Sequence, residues 1–189
     1  DSLLKKHADK AGLPPGTVVY LGNKRVDKVE IGVMDYNEGE VHEHAFTSAA
    51  DCRTYVGSST VTWINVVGLH DTGLLEQLGD VFGLHPLTLE DIANTGQRPK
   101  MEDHGDYVFV ALKMLYRPED GDGVVAEHVS LVLGANYVLT FQEVEADVFD
   151  RIRERIRSAA GRIRKMGCDY LAYALIDSIV DNYFVVLET

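Results

Sequence analysis

Leu84-His85-Pro86-Leu87-Thr88-Leu89-Glu90-Asp91-Ile92, followed closely by Gln97-Arg98-Pro99-Lys100, is the stretch from which the rest of the chain is read. Pro86 suits the first turn of a short helix running to Ala93. Leu87, Leu89 and Ile92 supply a partly periodic apolar side. Glu90 and Asp91 then fall near its C-terminal end, where a carboxylate opposes the helix dipole and gains nothing as a cap. Such a position suits either oxygen coordination of a hard cation or two solvated surface acids. Pro99 marks a turn into a strand from about Met101 to His104.

Upstream, residues 1–16 read as a polar arm ending in Pro14-Pro15-Gly16. Val18 to Leu21 suggest a first strand. Val26 to Tyr36 alternate as a half-buried strand, with Val29, Ile31 and Val33 on one side. Asn37 to Glu40 turn the chain back into Val41 to Phe46, giving a hairpin. Ala49 to Tyr55 suit a short helix. Thr60 to Val67 is β-branched and aromatic-rich, as strands are. Asp71-Thr72 then opens a helix carrying Leu74, Leu75, Leu78, Val81 and Phe82, which Gly83 stops.

Downstream, Asp106 to Tyr116 and Val124 to Leu133 read as strands around an acidic loop, 118–123. Tyr137 to Gln142 follows the hairpin signal Gly134-Ala135-Asn136. From Ala146 the period becomes helical, with Phe149, Ile152, Ile156, Ala159 and Ile163 recurring until Gly167. A last helix starts near Asp169 and runs to the end of the sequence. The expected fold is α/β of the α+β type: a mixed, largely antiparallel sheet between helices, followed by long C-terminal helices. The expected division is 1–145 for the α/β domain and 146–189 for the helical part.

The chain has 189 residues, 46% hydrophobic and 25% charged, with a formal net charge of −12. That balance argues against nucleic acid or an anionic membrane as partner and leaves cations or basic surfaces. Cys52 and Cys168 lie far apart without zinc spacing, so two reduced, partly buried thiols are expected. No signal peptide is evident. Asp177, Asp181 and Asn182 interrupt the most apolar helix, Tyr170 to Leu187, and no segment offers the roughly 20 unbroken apolar residues of a membrane span. The sequence starts without Met and stops at Glu188-Thr189 within a helical pattern, as a portion of a longer protein would.

Asp177 and Asp181, four apart, share one helical face. Two carboxylates about 5 Å apart repel by roughly 3 kcal/mol at an effective dielectric of 20, and a divalent ion would reverse that sign. The alternative is a polar stripe on an otherwise apolar helix. Its remaining residues, Leu171, Leu175, Ile176, Ile179, Val180, Phe184 and Leu187, ask for more packing partners than this chain supplies, or for another subunit. Between Arg151 and Lys165 seven cations are offset only by Glu154. They suit an acidic partner, phosphate, or the protein's own acids. His42 and His44 alternate on a strand, as a metal pair or as two edge-strand surface residues. No catalytic motif is present: no HExxH, GxSxG, P-loop or GxGxxG, and no evident base beside a nucleophile, so the chain does not read as an enzyme.

HPLTLEDI at 85–92, QRPK at 97–100, YVFVALKM at 107–114, VSLVL at 129–133, FQE at 141–143, VFDRIRERIR at 148–157 and DYLAYALIDSIVDNYF at 169–184 together resemble the cytoplasmic domain of the CorA family of magnesium transporters. The resemblance runs from about Trp63 to the last residue. It implies a sheet between helices, then long helices leading to two membrane spans in a homopentamer on the cytoplasmic face of the cell membrane. The spans and the Gly-Met-Asn pore tripeptide do not occur in these residues, so what is implied is the regulatory portion. It further implies Mg2+, with Co2+ or other divalent ions possible, bound at acidic subunit boundaries by Glu90, Asp91 and Asp177, with Asp181 nearby. A further acid of that arrangement would lie beyond residue 189. A related zinc transporter and a stand-alone metal-binding adaptor are the alternatives.

Overall fold

The computed structural model of the chain describes residues 10–117 and 123–188. Strand alternation sets its layers. In β1 (Glu30–Tyr36), Ile31 and Val33 face one side while Met34 and Tyr36 face the other, and all four are buried. With β2 (Val41–Phe46), β3 (Val61–Val67), β4 (Lys100–Asp103), β5 (Val108–Tyr116), β6 (Val125–Leu133) and β7 (Tyr137–Gln142) it forms one sheet, ordered β2-β1-β3-β7-β6-β5-β4. Neighbours are antiparallel except β3 and β7, which run parallel with Trp63 opposite Val138. A parallel pair needs a long crossover, and everything between Gly68 and Asn136 makes it.

Because both faces of the sheet are apolar, helices cover both. On one face lie a 3-10 helix (Ala49–Tyr55), α1 (Thr72–Phe82) and α2 (Pro86–Ala93), whose Leu75, Leu78, Leu89 and Ile92 join Ile31, Ile64, Phe109 and Leu139. On the other lie α3 (Asp150–Ser158) and α4 (Cys168–Leu187), whose Ile152, Ile156, Leu171, Leu175 and Ile179 join Trp63, Val110, Met114 and Val129. This is the mixed sheet between helices that the sequence predicts. Asp71 caps α1, accepting from the Leu74 N–H at 3.0 Å, and Gly83 ends it in the left-handed region.

Three elements differ from expectation. Residues 18–21 form no strand: instead of pairing with the edge strands β2 or β4, the segment runs beside α2 as a strap. It buries Val18 and Leu21, and the Leu21 N–H donates to the Ala93 carbonyl. β1 begins at Glu30 rather than Val26, because its partner β3 ends at Val67 and Gly68, at φ 96°, turns away. The long helix expected from Ala146 to Gly167 is a nine-residue helix. Ala159 is left-handed at φ 54° and Gly161 at φ 69°, and the chain turns before Ile163 enters the core. One long C-terminal helix results, α4. By length and composition alone α4 could cross a membrane, a test that a packed core helix passes as well. Here its inward face is packed on the sheet. The acidic loop 118–123 lies, but for Gly123, outside the described residues, as do residues 1–9 of the polar arm.

Glu127 on β6 departs furthest from the apolar rule. It is 1% exposed; Arg25 donates to its Oε1 at 3.2 Å, and Oε2 has no partner among the described residues. Burial, and then the charge of Glu143, push its carboxyl up to about 7, against the pull of Arg25. The native state therefore holds this proton where the unfolded chain has released it, and stability falls as pH rises from about 4.5 to about 7. Glu127→Gln is expected to flatten that fall, read as urea midpoints at the two ends of the range. An unchanged slope would contradict it.

Candidate functional site

α2 is held from beneath. The His85 side chain caps it, Nδ1 accepting from the Leu87 N–H at 3.1 Å. Tyr107 at the foot of β5 accepts from the His85 N–H at 3.0 Å, and its hydroxyl lies 2.8 Å from that of buried Thr88. With Leu89 and Ile92 turned inward, Glu90 and Asp91 are left half-buried at the rim.

Two other elements converge there. β4 pairs with β5 and sets Lys100 beside Asp91, with Nζ 2.5 Å from Asp91 Oδ2, 2.8 Å from Glu102 Oε1 and 5.9 Å from the centre of the Phe109 ring. The N-terminal strap brings Lys10 Nζ to 2.6 Å from Glu90 Oε1, and the Gly16 N–H donates to Glu90 Oε2 at 2.8 Å. The Lys10 ammonium, with Gly16 helping against burial, holds the Glu90 carboxyl below the usual range, and Lys100 does the same for Glu102. Burial opposes the charge on Lys100, but Asp91 and Glu102 outweigh it and raise its pKa. His104 stacks on Tyr107 at 4.7 Å and stands 3.4 Å from Glu102. Together His85, Leu87, Glu90, Asp91, Lys100, Glu102 and His104 line a cavity of about 420 Å3.

Gly16 is required where it stands. Its φ is +83°, and a Cβ there would come within 2.8 Å of the Pro86 Cβ. Gly16→Ala is expected to cost about 1 to 3 kcal/mol, through left-handed strain and crowding against α2. Chemical denaturation reads it; a loss below a few tenths would show that the strap is not seated on α2.

Three carboxylates against two ammonium groups form an oxygen-rich, acidic pocket of the kind a hard cation accepts. Yet among the described residues no group of three or more His, Cys, Asp or Glu is arranged to hold a metal ion. Asp177 and Asp181 stand elsewhere, both exposed on the outer side of α4. They make no ion pair among the described residues. Asp181 lines a separate cavity of about 370 Å3 with Asp147, Asp150 and Arg151. α2 and α4 cover opposite faces of the sheet, so a single chain does not bring Asp177 to Glu90 and Asp91. On the outer side of α4, Tyr173, Val180, Phe184 and Leu187 are exposed at helical spacing around the two acids.

In the cationic run 151–165, two of the arginines pair with the protein's own acids, Arg153 with Asp147 at 2.6 and 2.8 Å and Arg157 with Glu43 at 2.7 and 2.9 Å, while Arg155 donates to the Tyr170 hydroxyl and Arg164 to the Asn37 carbonyl. His42 and His44 are exposed on the edge strand β2, where His44 stacks on Phe46. Cys52 and Cys168 are free and buried. The sequence reading missed Lys10, Gly16 and Glu102. Lys100 lay inside the quoted QRPK, but only the antiparallel register with β5 places it on Asp91.

The family described as "CorA-like Mg2+ transporter protein" matches residues 58–189. The chain is 50% identical over 184 residues to the cobalt/magnesium transport protein CorA of Thermotoga maritima, covering 97% of this chain and 52% of that protein. It is 30% identical over 113 residues to magnesium transporter ALR2 of Saccharomyces cerevisiae, covering 59% of this chain and 13% of that one. The chain thus spans about half the length of its Thermotoga relative. In fold it is similar to the soluble domain of CorA from Methanocaldococcus jannaschii, with TM-score 0.60 and 19% identity over 84% of this chain and 58% of that one. It is also similar to the ZntB cytoplasmic domain from Vibrio parahaemolyticus, with TM-score 0.63 and 12% identity over 85% and 63%. With the family matched across well over half of its length, the chain belongs to the CorA-like Mg2+ transporter proteins.

Proposed function

We propose that this chain is the cytoplasmic regulatory portion of a CorA-type magnesium transporter, with Co2+ as a second cargo. Residues 1–145 act as its α/β domain, and 146–189 lead toward membrane spans in a homopentamer. Glu90 and Asp91 of one subunit and Asp177 of the next, with Asp181 beside it, bind intracellular Mg2+ across the subunit boundary. The observation that carries this reading is the placement of α2 and α4 on opposite faces of one sheet. Acids so separated cooperate on one ion only between two copies, and the exposed apolar residues around Asp177 give the second copy a surface to cover.

A magnesium ion that keeps most of its water binds such acids weakly, as a sensor of an abundant ion requires. When Mg2+ is plentiful it bridges neighbouring acids and favours the closed ring. When it is scarce, like charges loosen the boundary and the open state gains population. The test is magnesium inhibition of transport in the full-length protein carrying Asp91→Asn with Asp177→Asn.

A further inference from the structure

Both acids of the α2 rim already hold a cation, and each cation comes from a different part of the chain. Lys100 arrives on β4, its ammonium within 2.5 Å of Asp91 and 2.8 Å of Glu102, its charge 5.9 Å from the Phe109 ring. Lys10 arrives on the N-terminal strap, 2.6 Å from Glu90, beside the Gly16 N–H that takes the other oxygen of the same carboxylate. The two lysine side chains are only 28% and 20% exposed, so neither is a freely solvated surface charge. A divalent ion approaching these carboxylates meets two positive charges in the positions it would take.

On the reading that these acids bind Mg2+, we propose that Lys10 and Lys100 are tethered counter-cations that occupy Glu90 and Asp91 until the ion displaces them, and so set how much magnesium is needed. An ammonium on a tether competes without leaving the site, and its own positive charge repels the incoming ion. Both effects weaken binding. With no ion bound the lysines offset only the Glu90 and Asp91 part of the boundary, and Asp177 and Asp181, which make no ion pair among the described residues, leave it net negative. The arrangement resolves an apparent conflict: acids at a helix C-terminus are unfavourable, yet they persist because lysines offset them. Phe109 gives Lys100 a defined resting place through a cation–π contact. Glu102 gives its ammonium a second carboxylate to keep when Asp91 turns to the ion.

The experiment uses purified full-length protein and Mn2+ as the probe, whose free aquo ion gives a paramagnetic resonance signal lost on binding; Mg2+ is titrated as competitor. Lys100→Met is expected to lower the Mg2+ concentration for half displacement by roughly three- to tenfold, the effect of removing one positive charge about 6 Å from a divalent ion. Lys10→Met does the same at Glu90 and keeps the test intact if the Lys100 variant does not fold. Lys100→Arg, which keeps the charge, stays near wild type. Equal or weaker affinity in Lys100→Met or Lys10→Met, with Asp91→Asn weakening binding as the site requires, overturns the counter-cation role and leaves the site standing. Unchanged binding in Asp91→Asn as well overturns the reading of the acids and this inference with it.

Discussion

Replacing Trp63 by alanine is expected to lower the stability of the domain by about 3 to 5 kcal/mol, as large-to-small changes of buried aromatics do. Trp63 is 2% exposed at the centre of β3, where the antiparallel half of the sheet meets the parallel pair. Its indole N–H donates to Thr140 Oγ1 at 2.9 Å, and Thr140 in turn donates to Asn65 Oδ1 at 2.7 Å, so two buried polar groups are satisfied through it. Phe149 meets its ring edge-on at 5.7 Å, and the Arg153 guanidinium lies 5.1 Å over its face while bonded to Asp147. Alanine removes the contact that seats the start of α3 on the sheet and leaves a cavity that Phe149 fills only in part. Urea unfolding followed by circular dichroism should show a lower midpoint with the slope retained. A loss below about 1 kcal/mol would mean that α3 is anchored elsewhere, because cavities of this size do not close without cost.

How much of this was legible in the sequence depended on the range of the interaction. α2 was read within its bounds because Pro86 and the spacing of Leu89 and Ile92 are local signals. α1 was read from Asp71 and Gly83 for the same reason. The break in the Arg-rich helix was missed because its apolar period continues through Ala159 and Ile163. The left-handed Ala159 and Gly161 carry the period on after a turn rather than through it. Val18 to Leu21 have strand composition, but composition does not say what the segment docks against, and here that is α2 rather than an edge of the sheet. Glu90 and Asp91 were singled out because acids near a helix C-terminus are locally costly. Their lysines were not, because Lys10 lies 80 residues from Glu90 in sequence, and the pairing exists only once the strap docks.

The second large effect concerns magnesium. In a water-like dielectric a carboxylate about 5 Å from a divalent ion contributes about 1.7 kcal/mol, so two of them shift the binding midpoint by up to about 300-fold. Asp91→Asn and Asp177→Asn each remove one such charge while keeping side-chain size. Asp177 is exposed, so its change does not disturb the core, and Asp91 sits at the rim, where Glu102 retains Lys100 when Asp91 is neutralised. The loss is therefore expected in the magnesium response and not in folding. The most direct measurement is the Mg2+ concentration that half-inhibits transport by the full-length protein, wild type against Asp91→Asn with Asp177→Asn. The account predicts a midpoint at least about tenfold higher in the variant. The same midpoint in both proteins would contradict it.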